Sequence, residues 1–589
     1  MLGPVKKPSR LSQWDGRRRS SRYEGPLLAQ LWQRQVVGRL AIVLGSVIAA
    51  SLLVYFWGPP LPYRVGEVCP VDLRVRAYFE LENQPQTQRR REEAVEALPA
   101  ELQQDPDACE QARRAVPPVI EKFPPGTPLV QRGMPIDERQ LTLLAEEDRA
   151  YRRALGQGDH FRRGTSIFLI MSLLAILVVL YVVRFQEALA ENLPMIVGVC
   201  ALVLLTLLLG LLLSQPPWYA VLVPLTVTAM ILTLVYNAPF ALLMSLSLSL
   251  AMTVAMGTDL SHGLVQMGGL ATAVLSLRNV RTRTRLVEVG AGAGLAFLAM
   301  TVATGLLTGQ PARLIVFDAG RNFLWGALAG FLVSGLLPLV ERCFGIVTDI
   351  SLMELADGAH PLMQELVRRA PGTYTHSMTV ATLAEAAAEA IDANPLLTRV
   401  GSYFHDIGKM LKPHYFIENQ SGENRHDALE PALSTLIIIN HVKDGVALAE
   451  QYRLPRPIID FIEQHHGTTL VEYFYREAMK AQASLGQGHV ELEPSFRYPG
   501  PKPQSRENGI VMLADAAESS SRALPEPTPR SLRKLVHDLL MKRLLDGQFE
   551  ESGLTLTELH RIEESLCKGL IALYHGRIKY PANDRSMAS

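Results

Sequence analysis

The stretch Ala201-Leu-Val-Leu-Leu-Thr-Leu-Leu-Leu-Gly-Leu-Leu-Leu213 lies inside the segment that decides the fold. No Asp, Glu, Lys or Arg occurs between Asn192 and Thr258, and the chain from Ser166 to Val340 is almost continuously apolar. A helix of about 20 apolar residues already crosses a bilayer core, so this segment is far too long for one buried helix of a soluble protein. The sequence therefore predicts a series of transmembrane helices.

Turn signals rich in Pro, Asn, Gly and charged residues divide this region into seven expected spans. The spans lie near residues 166–184, 195–214, 217–236, 238–257, 262–277, 287–308 and 322–340. A further uncharged run, Leu40–Trp57, follows a basic N-terminus. We interpret it as a first span rather than a cleaved signal peptide, because no small-residue cleavage site closes it. With eight spans both termini lie on one side, and the Arg278–Arg285 loop is cytoplasmic, as the positive-inside rule requires.

The expected fold class is all-α, with a polytopic transmembrane helical region followed by a cytoplasmic all-helical domain. A small extracytoplasmic domain of uncertain fold separates the first span from the others. The predicted parts are a basic cytoplasmic tail (1–39), a first transmembrane helix (40–57), the extracytoplasmic domain (58–163), seven transmembrane helices (164–343) and the cytoplasmic domain (344–589).

The overall composition averages over these unlike parts. The chain has 58 Lys and Arg against 58 Asp and Glu, and 48% of its residues are hydrophobic. Zero net charge gives no support to a binder of polymeric nucleic acid, for which a strongly basic domain is expected. The spans also lack the buried ionisable residues that mark an ion pathway, which disfavours a transporter. Cys69 and Cys109 both lie in the outer segment, and the sequence is compatible either with a disulfide between them or with two free thiols.

Two pairs of glycines mark places where helices could approach closely. They are Gly290-x-x-x-Gly294 and Gly326-x-x-x-Gly330, which have the small-residue spacing of close helix crossings. We expect packing inside one chain rather than dimerisation through these pairs, although a homo-oligomer remains possible.

The tail after Cys343 regains the composition of a soluble domain, and its apolar residues recur at intervals of three and four, which indicates helices. Twelve of the fourteen histidines lie in this tail. Five of them form an ordered series with two aspartates: His376, His405, Asp406, His441, His465, His466 and Asp515. Imidazole and carboxylate together bind divalent metals. Helices can bring such groups together from distant positions, as they do in bundle proteins.

Seven candidate ligands exceed the about four to six that one metal takes, and they suit two metals that share a carboxylate. Asp406 is the expected bridge, because it is adjacent to His405 and stands in the middle of the series. A two-metal centre about 3.5–4 Å across can hold a hydroxide and clamp a phosphoryl group. This chemistry predicts a phosphodiesterase in which Asp406, His405 and Lys409 are catalytic, with Lys409 as a possible phosphate-binding cation. The residues alone admit zinc, iron or manganese.

The ordered series resembles that of the HD-domain phosphohydrolases. Together with the spans that precede it, the chain is similar to the seven-transmembrane HD hydrolases, the PgpH-type cyclic di-AMP phosphodiesterases. The stretches that carry the resemblance are Ala370-Pro-Gly-Thr-Tyr-Thr-His376-Ser, His405-Asp-Ile-Gly-Lys409, Phe416-Ile-Glu-Asn-Gln420, His441-Val-Lys-Asp-Gly445, Gln464-His-His-Gly-Thr468 and Asp515-Ala-Ala-Glu518.

The resemblance implies two divalent metal ions, iron or manganese, and two ligand sets. One set is His376, His405, Asp406 and Asp515, and the other is Asp406, His441, His465 and His466. It also implies a multi-pass protein of the bacterial inner membrane that hydrolyses cyclic di-AMP to pApA. Regulation of this reaction by the outer and membrane segments is expected from the layout.

Two alternatives remain. The first is a cyclic di-GMP or other cyclic-nucleotide phosphodiesterase, although no Gly-Tyr-Pro signature follows His465-His466. The second is a membrane receptor whose HD domain binds a nucleotide without catalysis. Product formation with Mn²⁺ or Fe²⁺, compared with a cation-free control, separates an enzyme from a receptor.

Overall fold

The computed structural model describes residues 34–575 apart from 58–60, 62, 101, 279, 421, 423 and 485–492, so most of the expected basic tail lies outside the described residues. The described chain forms two compact units, one comprising residues 34–277 and 286–335 and the other residues 278–285 and 336–575. Helices dominate both units. The all-α fold class is therefore confirmed, with strands only in the outer segment of the described chain.

The first unit begins with helix α1 (Arg34–Trp57), which is followed by a small α/β segment. Its elements are β1 (Leu73–Arg74), β2 (Phe79–Glu82), α2 (Gln84–Glu96), α3 (Pro106–Ala115), β3 (Ile120–Phe123), β4 (Pro128–Val130) and α4 (Glu138–Ala154). Strand β1 pairs antiparallel with β4, and β2 pairs antiparallel with β3. Cys69 and Cys109 are both buried free thiols, so the structure has no bridge between them.

The apolar region forms one helix for each of the seven expected spans. These seven helices are α5 (Gln157–Phe185), α7 (Leu193–Leu213), α8 (Leu222–Val235), α9 (Ala238–Met256), α10 (Leu260–Ser276), α11 (Arg283–Leu307) and α12 (Ala312–Phe344). A short additional helix, α6 (Glu187–Glu191), lies between α5 and α7 and was not expected. Helices α1, α5, α7, α9, α11 and α12 are long and apolar enough to cross a membrane. Helices α8 and α10 are shorter, with 14 and 17 residues.

The expected loop between residues 310 and 321 is wrong, because α12 already begins at Ala312. Its charged residues suggested a loop, but the structure pairs them. Arg64 donates to both carboxylate oxygens of Asp318 at 3.0 and 2.7 Å, and Arg321 lies 2.9 Å from the same carboxylate. Paired charges are far less costly to bury than isolated ones, so the helix continues through them.

The four glycines singled out in the sequence form one close crossing between α11 and α12. A Cβ atom on Gly290 would lie 2.6 Å from the Cα of Gly330, and one on Gly326 would lie 2.5 Å from the Cα of Gly294. These distances are shorter than any tolerated carbon–carbon contact. The expected packing inside one chain is therefore confirmed at these residues.

We expect Gly290→Leu to force α11 and α12 apart and to lower the melting temperature of the detergent-solubilised protein. Overpacking costs about 1–3 kcal/mol, which corresponds to about 2–10 °C. Gly292→Leu is the matched control, because a Cβ on Gly292 would meet no atom within 4 Å. Equal melting temperatures for the two variants would contradict a contribution of this close crossing to the stability of the protein.

The second unit contains the helical tail. Its helices are α13 (Asp349–Leu355), α14 (Pro361–Arg369), α15 (Pro371–Ala390), α16 (Pro395–Phe404), α17 (Pro431–Gln451), α18 (Arg456–Gln464), α19 (Glu472–Ser484), α20 (Arg506–Arg522), α21 (Pro529–Leu545) and α22 (Leu556–His575). Short 3₁₀ turns, including Ile407–Leu411, connect α16 to α17. Helix α17 is also long and apolar enough to cross a membrane, but it packs against α18 and α19 and buries His441 and Val442. We therefore assign it to the tail.

Candidate metal centre

Five segments of the tail bring the seven predicted ligands into one cluster. His376 lies on α15, His405 and Asp406 follow α16, His441 lies on α17, His465 and His466 follow α18, and Asp515 lies on α20. All of them are buried except His466, which is half-buried. Residues up to 139 positions apart in the sequence therefore share one polar site inside an apolar core.

The cluster divides into two groups of four that share Asp406. One group is His376, His405, Asp406 and Asp515, and the other is Asp406, His441, His465 and His466. Within each group the ligand atoms lie within 4.8 Å of one another. These are the two ligand sets that the family resemblance implied.

The two carboxylate oxygens of Asp406 face different groups. Oδ2 lies 3.4 Å from Nε2 of His376 and 3.2 Å from Nε2 of His405. Oδ1 lies 3.3 Å from Nε2 of His441 and 3.6 Å from Nε2 of His465. This division between the oxygens is the geometry that a bridging carboxylate requires.

Asp515 completes the first group and also approaches the second. Its Oδ1 lies 3.1 Å from Nε2 of His376, and its Oδ2 lies 3.7 Å from Nδ1 of His466. Burial disfavours the charged carboxylate, but its contact with His376 and the other nearby histidines hold the pKa of Asp515 well below its usual range. Asp515 is therefore an anion at neutral pH.

Several polar atoms at the centre lack a hydrogen-bond partner among the described residues. They are Nε2 of His376, Nε2 of His405 and both carboxylate oxygens of Asp406, all of them buried, although Oδ2 of Asp406 forms an ion pair with Lys409. An unsatisfied buried polar group costs about 1–3 kcal/mol, and more when it is charged. Imidazole and carboxylate donors that converge in this way fit a divalent metal, which would satisfy all of these atoms.

Three of the histidines are oriented by backbone carbonyl oxygens that accept from Nδ1. The pairs are His405 with Ser402 (2.7 Å), His441 with Ile438 (2.6 Å) and His465 with Ile462 (2.9 Å). A carbonyl oxygen only accepts, so each Nδ1 carries a proton, and Nε2 of the neutral ring then keeps a lone pair directed at the centre. Such outer hydrogen bonds fix the tautomer and the ring orientation of metal-binding histidines.

Glu518 orients the fourth histidine and was assigned no role from the sequence. Its Oε2 accepts from Nδ1 of His376 at 2.6 Å, and its Oε1 accepts from Nε of Arg522 at 2.7 Å. Burial opposes protonation of His376, but the neighbouring carboxylates of Asp406, Asp515 and Glu518 raise its pKa well above the usual value. The available signal was the spacing, because Glu518 lies three residues after Asp515, on the same face of α20.

We expect Glu518→Gln to weaken metal binding by about 10- to 100-fold, the usual effect of removing an outer carboxylate partner. The amide keeps the shape but does not offer His376 a charged acceptor. Metal titration of the chelator-treated protein measures this change. Glu526→Gln is the control, because Glu526 is exposed in the loop that follows α20. Equal affinities in the two variants would contradict the orienting role.

The structure places Lys409 against the shared carboxylate. Its Nζ lies 2.7 Å from Oδ2 of Asp406 and 3.1 Å from Oε1 of Glu418. Burial disfavours the charged amine, but these carboxylates raise the pKa of Lys409 above its usual value. Burial likewise opposes the charge of Asp406, and Lys409 and His405 more than offset it, so its pKa lies well below the usual range. Lys409 therefore keeps the bridging residue ionised.

Tyr498 borders the second group and was not singled out in the sequence. Its ring stacks on His466, with 4.3 Å between the ring centroids. The residue is buried, which raises the pKa of its hydroxyl, so the hydroxyl remains a hydrogen-bond donor. No spacing rule connects this tyrosine with a histidine 32 residues earlier, and only the fold brings the two rings together.

Comparisons with known proteins identify similar families and relatives. Two family models match the chain: "7TM receptor with intracellular HD hydrolase" over residues 161–348 and "HD domain" over residues 373–519. A protein of Bacillus subtilis named cyclic-di-AMP phosphodiesterase PgpH is 39% identical over 371 residues, which are 61% of this chain and 51% of that protein. Its namesake in Listeria monocytogenes is 35% identical over 487 residues, which are 80% of this chain and 65% of that protein.

A solved structure is also similar to the tail. It is the HD domain of the L. monocytogenes phosphodiesterase PgpH in complex with cyclic-di-AMP, and it is 45% identical. The match covers 38% of this chain and 100% of the solved chain, with a TM-score of 0.35. The chain spans between half and two thirds of the length of the two PgpH relatives that it matches.

Proposed function

We propose that this chain, which belongs to the family of seven-transmembrane proteins with an intracellular HD domain, is a phosphodiesterase that hydrolyses cyclic di-AMP to pApA. It is a multi-pass membrane protein. The observation that carries the proposal is the pair of ligand groups that share Asp406, four of whose buried atoms make no hydrogen bond within the described chain. The names of the two relatives, both cyclic-di-AMP phosphodiesterases, support the substrate.

We assign one divalent metal to His376, His405, Asp406 and Asp515, and a second to Asp406, His441, His465 and His466, with iron or manganese as the expected ions. Such a pair supplies an acidified water and Lewis-acid contacts to phosphoryl oxygens. Burial lowers the pKa of His465 and His466, so both rings are neutral ligands at physiological pH. Lys409 holds Asp406 ionised between the two groups.

The proposed topology places residues 344–589 in the cytoplasm of a bacterial cell, with residues 58–163 on the outer side of the inner membrane. The basic residues before the first span and in the Arg278–Arg285 loop support this orientation. The implied partners are a cyclic dinucleotide, which would be hydrolysed on the cytoplasmic side, and the lipid bilayer.

Contacts between the outer segment and α12 support regulation from outside. Arg64 pairs with Asp318, and the side chain of Gln310 makes two hydrogen bonds with the backbone of Val68, at 2.9 and 3.0 Å. Helix α12 then continues without a break to Phe344, where the tail begins. A shift of the outer segment would therefore act directly on the last membrane helix.

We expect Asp318→Asn to change the hydrolysis rate about fivefold or more, because coupling between sites is typically of that size or larger. The metal content should stay the same, since Asp318 is not part of the metal cluster. Asp107→Asn, which changes an exposed residue of the outer segment, serves as the control. A rate equal to that of the control would contradict the proposed coupling.

The function is tested with the full-length protein in detergent, incubated with Mn²⁺ or Fe²⁺ or with a chelator. Cyclic di-AMP, cyclic di-GMP and linear pApA are offered separately, and the products are identified by mass spectrometry. We expect metal-dependent formation of pApA from cyclic di-AMP. Faster opening of cyclic di-GMP would favour the first alternative, and metal-dependent binding without any product would favour a receptor.

A further inference from the structure

Arg543, in the last turn of α21, lacks a counterion next to the metal centre. Its side chain makes no hydrogen bond or ion pair with any residue that the structure describes, and its Nε is buried without a partner. The basic side chains around it are paired: Lys542 with Glu472, and Arg497 with Asp546 at 3.0 Å. Arg543 therefore lacks a partner although the basic side chains around it have theirs.

The chain after His466 connects this arginine to the centre. Gln548, which follows α21, accepts from the backbone N–H of Thr468 at 3.0 Å and donates to its hydroxyl at 2.9 Å. Arg497 donates to the carbonyl oxygen of Thr468 at 2.8 Å, and the next residue, Tyr498, stacks on His466. These contacts hold the end of α21 beside the second ligand group. Arg543 accordingly interacts electrostatically with Tyr498 and with Asp515.

The position at a helix C-terminus does not account for this half-buried charge. A cation there is only weakly favoured, whereas taking part of a guanidinium out of water without a pair is costly. Burial lowers the pKa of Arg543 in spite of the nearby Asp515 and Asp546, but a guanidinium still stays protonated. An anionic ligand that binds beside the metal centre would give this cation the ion pair that it lacks.

Building on the proposed function, we propose that Arg543 binds the second phosphate of the cyclic dinucleotide, the one that is not being cleaved. A cyclic dinucleotide carries two anionic phosphodiester groups, and the metal cluster can take only one of them at a time. The planar guanidinium offers two parallel N–H donors that match two phosphate oxygens. Arg543 is then a binding residue that selects diesters with a second phosphate, and it does not act on the reacting atoms.

The test compares two substrates that differ in this feature. Cyclic di-AMP has two phosphodiester groups, whereas bis(4-nitrophenyl) phosphate has one. Charged hydrogen bonds contribute about 1.5–3 kcal/mol, so we expect Arg543→Gln to lower the ratio of kcat/KM for cyclic di-AMP over that for the single diester by about 10- to 100-fold, mainly through KM. Arg543→Lys should recover part of the ratio. Arg533→Gln, an exposed arginine on the same helix, is the matched control.

Metal content and melting temperature are measured on each variant, together with the Kd for cyclic di-AMP by calorimetry. An unchanged substrate ratio, or an equal loss with both substrates, would overturn the role of Arg543. If the wild-type protein binds cyclic di-AMP without opening it, the proposed activity fails. The Kd of Arg543→Gln still tests the phosphate contact in that case, with a 10- to 100-fold increase expected by the same argument.

Discussion

Asp406→Ala is expected to remove both metals and to lower the rate of cyclic di-AMP hydrolysis by about 10³-fold or more, since the activated water depends on the metals. Each ligand group loses one of its four members, because Asp406 is common to both. The two groups differ in the ligands that remain. The first group keeps the carboxylate of Asp515, whereas the second keeps three imidazoles and no carboxylate. We therefore expect the second group to lose the larger part of its metal affinity.

The metal content of the desalted full-length protein, measured by elemental analysis alongside the rate, decides this prediction. Asp538→Ala is the matched control, because Asp538 is an exposed aspartate of the same domain. The fold should survive the change at Asp406, since Lys409 retains Glu418 as a partner at 3.1 Å. Retention of two metals, or a rate close to that of the control, would refute the bridging assignment.

The features that could be predicted from the sequence are those that depend on local patterns. Apolar runs report membrane helices directly, because the bilayer sets their length. The ligands were recognisable as a series because their residue types are restricted by metal chemistry, and Asp406 stood at its middle. The structure brings this series together with the expected division into two sets. The five-part domain division and the metal roles themselves remain proposals.

The features that could not be predicted depend on contacts between distant segments. Helix α12 was expected to begin later, because the partner that neutralises Asp318 is Arg64, 254 residues away. The outer segment forms two short strand pairs whose members are separated by helices, so no hairpin signal exists there. Tyr498 and Arg543 approach the centre only through the packing of the segments around Thr468. No residue spacing in the sequence predicts that packing.

Gly408→Ala should disrupt the centre although the glycine itself binds no metal. A Cβ at this position would overlap the carbonyl oxygen of His441 and would lie 2.5 Å from the backbone nitrogen of Gly445. Gly408 is two residues from Asp406, so the 3₁₀ turn and α17 touch through their backbones where both carry ligands. The added methyl group would have to separate the 3₁₀ turn from α17, and this separation moves His441 away from Asp406.

We expect this change to lower kcat by about 10²-fold, as a misplacement of about 1 Å does in catalytic sites, and to destabilise the protein by about 1–3 kcal/mol. The second metal should be lost preferentially, because only the second group contains His441. Gly358→Ala is the control: a Cβ there would meet no atom within 4 Å, and the residue does not need left-handed backbone geometry. Elemental analysis and steady-state rates of the two variants provide the measurement. Full activity with two bound metals in Gly408→Ala would mean that the close contact between the turn and α17 does not position the bridging carboxylate.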